Sequence, residues 1–519
     1  MIKNLYILIF LFFFFKCGTL KFFHEPLIIN TQNKGKEKID KAQKKNWSLL
    51  DLNKDSLPGM SINRAKEELL KNHKGASVIV AVIDSGVDIE HPLISGSTWI
   101  NKTEIPGNGI DDDKNGYIDD INGWNFLGKS NKENMEYVRL LKNTSKKDSL
   151  YSVYLKEIDD VKNISNQRIE RNKGLIKKYT KYDSIISSAL NKKSYSLNEA
   201  EKINFKTLII LDAIDFLEFF EKNSLSIERL EGAIKYYKNR LKYHINLDFE
   251  GRSIVGDDPN NIYDTGYGNS NVIGPEKDSA DHGTHVSGII LSIYNKVKIM
   301  PLRAVPDGDE YDKDIALAIR YAVNNGAKII NTSFGKSYSP HSNWVYDAIK
   351  YASKKDVLIV NASGNDSENI NPGLNKTFPN DEINGKEIAN NMINVGASTY
   401  LYNEKLPAYF SNFGSINVDL FAPGYQIYSS VPNNKYDYNS GTSMAAPSVS
   451  GVAAIIRSFY PKLKAPTVKR ILLESGSPMY KSLYSPKSQE IVTPEELSKS
   501  GKIVNLYNAL LLASLTKQK

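Results

Sequence analysis

The sequence predicts an α/β protein: a doubly wound, mostly parallel β-sheet with an inserted helical subdomain. Three observations predict this. Short apolar runs rich in β-branched residues recur along the chain, as expected of strands covered on both faces. Helical patterns lie between them, which is the signature of βαβ units. One long block, residues 131–249, is highly charged and almost free of helix breakers.

The N-terminus reads as an address. Lys3 precedes an unbroken apolar run at residues 5–15 (LYILIFLFFFF). Eleven residues are too few to span a bilayer, which takes about 20 as helix. The run fits the apolar region of a signal peptide, so residues 1–17 are expected to direct export. Cys17 is the only cysteine, which excludes an intrachain disulfide. It stands where a bacterial lipoprotein carries its lipid-modified cysteine, although Lys16 fills a place usually held by a small residue. Two readings stay open: membrane anchoring through a lipidated Cys17, or simple secretion. Residues 18–46 are polar and Lys-rich and read as a linker.

Residues 61–73 have helical spacing. The first strand is expected at residues 78–83 (VIVAVI). Similar runs recur at residues 297–300, 328–330, 357–360 and 393–395, with helical patterns at residues 314–325 and 343–354. In such a sheet, chemistry gathers outside the carboxyl ends of the strands. Residues 131–250 hold 23 Lys/Arg and 18 Asp/Glu but only two glycines and no proline. Long helices follow from that composition, and residues 205–220 are apolar enough to pack as a helix hairpin. The domain plan is therefore a core made of residues 47–130 and 250–515, interrupted by the helical insertion. The net charge of +8 over 519 residues is mild. Without a compact basic patch interleaved with aromatics, no nucleic-acid partner is expected.

Several polar residues fall at the ends of these runs. Asp84 directly follows VIVAVI, where a carboxylate would be held rigidly, and Gly86 lets the chain turn away. Alone, it reads first as a turn or capping aspartate. His282 lies in DHGTHVSG, at the start of a small-residue helix. The HxxH spacing is weak as a metal pair, because no further His or Cys completes it. His285, inside the helix, reads as structural. Ser443 lies in NSGTSMAAP and opens another small-residue helix, whose free N–H groups favour nearby negative charge. Its own N–H is a candidate oxyanion donor, and Pro447 is expected in the tolerant first turn. Asn365, in NASGN past VLIV, could aim a side-chain amide at the same point. A serine nucleophile needs a base, the base needs a carboxylate, and the oxyanion needs donors.

The blocks AVIDSGVD, HGTHVSGI, NTSFG, ASGN and SGTSMAAPSVSG resemble those of the subtilisin-like serine proteases, and they follow that family's order of Asp, His, Ser. The stretches YFSNFG, VDLFAPG and VKRILLESG agree. The resemblance covers residues 47–125 and 250–515. It implies a subtilisin-like fold and a serine endopeptidase that cleaves proteins or peptides through an acyl-enzyme. Asp84 would orient, His282 act as base and acid, Ser443 attack, and Asn365 with Ser443 N–H hold the oxyanion. Ser333, Phe334, Gly335 and Gly364 would bind extended substrate. Lys336 replaces a residue commonly small in the family. An inactive binding protein on the same fold is the rival reading.

The sequence departs from compact family members in three ways. Asp84 and His282 are 198 positions apart, and the intervening insertion is expected to cap or gate the cleft. The segment before residue 75 is short for a folding propeptide. The acidic loop at residues 111–120 (DDDKNGYIDD) resembles a structural Ca²⁺ loop, with Asp111, Asp113, Asn115, the Tyr117 carbonyl and Asp119 as ligands. Asn122 stands where such a loop has its bidentate Glu, and a solvated acidic turn is the alternative.

Overall fold

The computed structural model describes residues 35–517 apart from residue 224. The signal peptide and Cys17 expected from the sequence lie outside the described residues.

The sheet is built from β1 (Val78–Asp84), β2 (Trp124–Asn125), β3 (Val297–Arg303), β4 (Ile329–Thr332), β5 (Leu358–Ala362), β6 (Met392–Ser398) and β7 (Leu420–Pro423). A hairpin, β8 (Ile427–Val431) and β9 (Lys435–Asn439), stands apart from it, and β10 (Ser477–Pro478) and β11 (Lys502–Ile503) complete one edge. The order across the sheet is β10-β11-β7-β6-β5-β4-β1-β3-β2. Every neighbouring pair is parallel except β10 with β11. The strands extend a few residues beyond the apolar runs that announce them, and β7 emerges from VDLFAPG.

Alternation along β1 sorts its side chains onto two cores. Val78, Val80 and Val82 join one cluster, which holds α5 (Asp281–Ile293), α8 (Thr442–Phe459), α9 (Ala465–Ser475) and α10 (Leu506–Leu515). Ala81 and Ile83 join the other, with α6 (Asp312–Asn324) and α7 (Ser342–Lys354). Helices therefore cover both faces, as the continuous apolar runs require.

Between β2 and β3 lie α1 (Glu136–Asn143), α2 (Ser149–Leu190), α3 (Leu208–Lys222) and α4 (Ile227–Asn239). At 42 residues, α2 is about 63 Å long. Residues 205–220 do not form a hairpin of their own. They give the single helix α3, because no breaker interrupts LIILDAIDFLEFF. Its Ile214 and Leu217 pack in one cluster with Ile186 of α2, and its Phe216 and Phe220 pack with Leu230 of α4.

Residues 35–46, read from sequence as tether, are partly ordered on the domain. Lys41–Asn46 forms a short helix with a capping box at Asp40. Lys44 and Lys45 place their ammonium groups over the rings of Tyr438 and Tyr428.

The insertion is welded to the sheet by buried charge. Lys336, just past β4, is almost fully buried. Its Nζ lies 2.7 Å from Glu136 of α1 and 2.9 Å from Asp312 of α6, and it donates to the Glu310 carbonyl at 2.8 Å. Arg139 pairs with Glu136 at 2.6 Å and donates to the carbonyls of Asp309 and Glu310. Burial opposes ionisation of Glu136, but Arg139 and Lys336 outweigh it and hold this carboxyl below its ordinary value. Removing one partner of such a cluster strands the others. Lys336→Met is expected to cost about 3–5 kcal/mol, read as a lowered urea or thermal midpoint by circular dichroism.

Candidate active site

The carboxyl ends of β1, β4 and β5 form one rim, where the chain passes from β3 on one side of β1 to β4 on the other. This is the switch point of a doubly wound sheet.

Asp84 is the last residue of β1 and is 2% exposed. Its Oδ1 accepts from Ser85 N–H at 2.7 Å and lies 2.8 Å from His282 Nδ1. His282 is the second residue of α5. The helix comes this close because position 283 is glycine: a Cβ there would sit 2.1 Å from the Gly86 carbonyl oxygen and 3.0 Å from Asp84 Cβ. Gly86 itself has φ +120°, and a Cβ on it would meet the Ile273 carbonyl at 2.6 Å. Beneath the turn, the buried Arg303 guanidinium donates to the carbonyls of Ser85 and Ser130 at 3.0 and 2.7 Å, and to the side-chain oxygens of Asn125 and Asn131. Burial draws this guanidinium down to about 10. Desolvation also works against the His282 imidazolium. The charge and hydrogen bond of Asp84, with help from Asp281, outweigh it and raise His282 above its ordinary value.

Ser443 is the second residue of α8 and is half-buried. Its hydroxyl donates to the Ser333 carbonyl at 3.0 Å, and the Ser333 hydroxyl donates to the Ser443 carbonyl at 2.9 Å. Pro447 lies in the second turn of α8, not the first. Its missing N–H would have bonded the Ser443 carbonyl, so the Ser333 hydroxyl takes that place. Asn365 follows β5. Its Oδ1 accepts from Thr442 N–H at 2.8 Å and from the Thr442 hydroxyl at 3.1 Å, which orients the amide. One point in space, where a Cβ on Gly441 would lie, is 3.6 Å from Ser443 N, 3.6 Å from Asn365 Oδ1 and 3.7 Å from Asn365 Nδ2, so the Asn365 amide and the Ser443 N–H border the same small region. Gly364, at φ +102°, donates its N–H to Thr442 Oγ1 at 3.2 Å.

A cavity of about 280 Å³ opens beside Ser443, between residues 334–338 and 361–366. Phe334, Gly335 and Gly364 line it, though Ser333 does not, as do Met135 just before α1, Tyr137 of α1, Glu157 of α2, and Asp309. No local pattern marks these last four, since they come together only through the insertion. Lys336 directs its ammonium away into the ion cluster.

His285 is fully buried, with Nε2 3.2 Å from the Asp437 carbonyl, and burial lowers it to about 4. A neutral, structural imidazole is what this arrangement holds.

The acidic loop differs from its sequence reading. Glu104, Asp111 and Asp113 bring one carboxylate oxygen each within 4.8 Å of one another. Asn115 adjoins them, donating Nδ2 to Asp113 at 3.2 Å. Asp119 instead turns to the N–H groups of Gly107 and Gly109. Asn122 donates to the Trp99 carbonyl. The Tyr117 ring packs against Trp124, Phe126 and Tyr321. Glu104, from the preceding turn, accepts from the N–H groups of Asp112, Asp113 and Asp119, which ties it to the loop.

The profile of the subtilase family, peptidase S8, matches residues 75–491. The cell wall-associated protease of Bacillus subtilis (strain 168) is 36% identical over 210 residues, covering 38% of this chain and 21% of that protein. The thermophilic serine proteinase of Bacillus sp. (strain AK1) is 36% identical over 223 residues, covering 41% of this chain and 48% of that protein. The chain thus spans less than half the length of either relative. A solved protease structure from Pseudoalteromonas arctica PAMC 21717 aligns over 45% of this chain and 70% of its own, at 28% identity and a TM-score of 0.36.

A general base must be neutral to accept a proton, and a raised His282 loses its neutral form at a higher pH. The acid limb of kcat/KM is expected to fall with a midpoint above 6.5. The same shift means the pair stabilises the fold fully below 6.5, a contribution lost as pH rises through the raised value. Asp84→Asn should move the acid limb downward and cut kcat by about 10⁴, as measured in a pH–rate series.

Proposed function

The chain belongs to the subtilase family, and from that premise we propose that it is an exported serine endopeptidase cleaving peptide bonds through an acyl-enzyme. The observation that carries the reading is the 2.8 Å contact of Asp84 with His282 Nδ1 at the rim where α8 delivers Ser443.

Asp84 holds His282 in the tautomer that carries its proton on Nδ1, which leaves Nε2 as the base. In the free enzyme the Ser443 hydroxyl rests on the Ser333 carbonyl. Extended substrate laid along residues 333–335 offers N–H groups to that edge by β-augmentation. Occupancy of the Ser333 carbonyl frees the hydroxyl to turn toward Nε2. Contacts of this kind commonly tighten only in the substrate complex. Ser443 Oγ then attacks the scissile carbonyl as His282 takes its proton. Asp84 stabilises the imidazolium, and the oxyanion lies between Ser443 N–H and Asn365 Nδ2. His282 passes the proton to the leaving amine, and water repeats the sequence on the ester.

Export is supported by the apolar run at residues 5–15, and by the cell wall-associated relative. Cys17 remains the place where a lipid would anchor the protein to a membrane. No helix among the described residues is long and apolar enough to cross one. Calcium would be held by Glu104, Asp111 and Asp113 with Asn115, and would neutralise their mutual repulsion.

A fluorophosphonate probe is expected to label the wild type and not Ser443→Ala. Asn365→Ala should retain labelling but lose about 10²–10³ in kcat. A wild type that hydrolyses no peptide and takes no label would instead mark an inactive binding protein. EDTA should lower the thermal midpoint, with recovery on added Ca²⁺. An unchanged midpoint removes the metal from the acidic loop.

A further inference from the structure

The cavity beside Ser443 is lined by more negative charge than it can satisfy from within. Asp309 is 7% exposed, and its Oδ2 accepts from the Glu136 N–H at 2.7 Å. Glu157 accepts from the Tyr338 hydroxyl. Neither carboxylate forms an ion pair among the described residues. Asp366, at the rim, is held by Asn412 Nδ2 at 3.2 Å. The one cation in the lining, Lys336, has a side chain 1% exposed and is already committed to Glu136 and Asp312.

Tyr137 adds a second, independent observation. Tyr137 lines this same cavity, and its hydroxyl is buried without a hydrogen-bond partner among the described residues. Burial raises this phenol above its ordinary value, the nearby Arg240 guanidinium lowers it, and Asp309 and Glu157 raise it further. The hydroxyl thus stands near two carboxylates that form no ion pair among the described residues. Met135, Phe334 and Phe378 give the lining an apolar part along which a hydrocarbon stem could lie. Burial also pushes Asp309 up, and the nearby Arg139 and Lys336 do not offset it. A donor-rich cation entering the cavity would repay that desolvation.

We propose that this cavity selects a lysine or arginine side chain on the acyl side of the scissile bond. Asp309, Glu157 and Tyr137 would receive its head group, so that the helical insertion sets the specificity of the protease. The stem lies along apolar surface while the charge reaches the acceptors. The inference rests on the proposed protease activity of Ser443.

The test uses the purified full chain with peptides that differ only in the residue before the cleaved bond: Arg, Lys, Leu, Phe or Glu. Arg and Lys peptides are expected to exceed Leu and Phe in kcat/KM by about tenfold or more. Glu157→Gln should reduce the Arg-to-Leu ratio several-fold, and Asp309→Asn should reduce it further. Benzamidine, a small aromatic cation, should protect Ser443 from the fluorophosphonate probe, less well in Glu157→Gln. Labelling of each variant reports whether the site is assembled. If Asp309→Asn fails to fold, Glu157→Gln, half-buried on α2, decides. A labelled enzyme that prefers Leu or Phe, or keeps its Arg-to-Leu ratio in Glu157→Gln, overturns the proposal and leaves the protease reading standing. A wild type without label or turnover overturns the protease reading itself.

Discussion

The site depends on how closely a helix can approach a turn. His282 reaches Asp84 only because α5 lies against the chain at residues 84–86, and backbone is all that either side can offer there. A methyl group at position 283 would overlap the Gly86 oxygen. The contact is paid for by two glycines and by Arg303, which is buried, forms no ion pair among the described residues, and is satisfied by carbonyl and amide oxygens. Interiors are close-packed and yield little. A base held this way loses little entropy when it accepts a proton, which is the meaning of preorganisation in such a centre.

A second constraint ties the insertion to the same rim. Lys336 occupies a place where a small residue would leave the wall of the cavity open. Its ammonium passes beneath that wall to α1 and α6. The cluster of Lys336, Glu136, Asp312 and Arg139 gains little over an apolar contact of equal volume, because desolvation offsets the attraction. What it supplies is register. Charges that must all be matched leave α1 one way to sit, and α1 in turn fixes Met135, Tyr137 and the first turns of α2 beside Ser443. Met135, Tyr137 and Glu157 of the insertion line the cavity, while residues farther along α2 pack with α3 and α4.

The sheet was legible because a strand buried on both faces must be apolar at successive positions, and residues 78–83 are. Asp84, His282, Ser443 and Asn365 could be read because each sits at the end of an element whose pattern is local, and because their blocks resemble those of a known family. Other features were not legible, each for a reason of distance. Glu104 joins Asp111 and Asp113 through a turn outside the loop motif, so the twelve-residue pattern could not include it. Asp119 reads as a ligand by spacing, but the N–H groups of Gly107 and Gly109 claim it first. Residues 205–220 have enough apolar surface for two helices, yet nothing in them turns the chain. Met135, Tyr137, Glu157 and Asp309 meet the cavity through packing between segments far apart in sequence, which no periodicity encodes.

The position of Pro447 shows how local chemistry and the site are linked. A proline in the second turn of a helix normally leaves a carbonyl unpaired. Here the carbonyl belongs to Ser443, and the Ser333 hydroxyl satisfies it. Ser443 returns the bond through its own side chain to the Ser333 carbonyl. Ser443, the proposed nucleophile, and the edge proposed to bind substrate are therefore joined by a reciprocal pair of hydrogen bonds, one of them structural and one exchangeable. The first holds α8 against the end of β4 whether or not substrate is present. The second can be surrendered when another N–H reaches the Ser333 carbonyl. A helix defect that would cost stability elsewhere thus sets the distance between the attacking oxygen and the edge along which a peptide would lie.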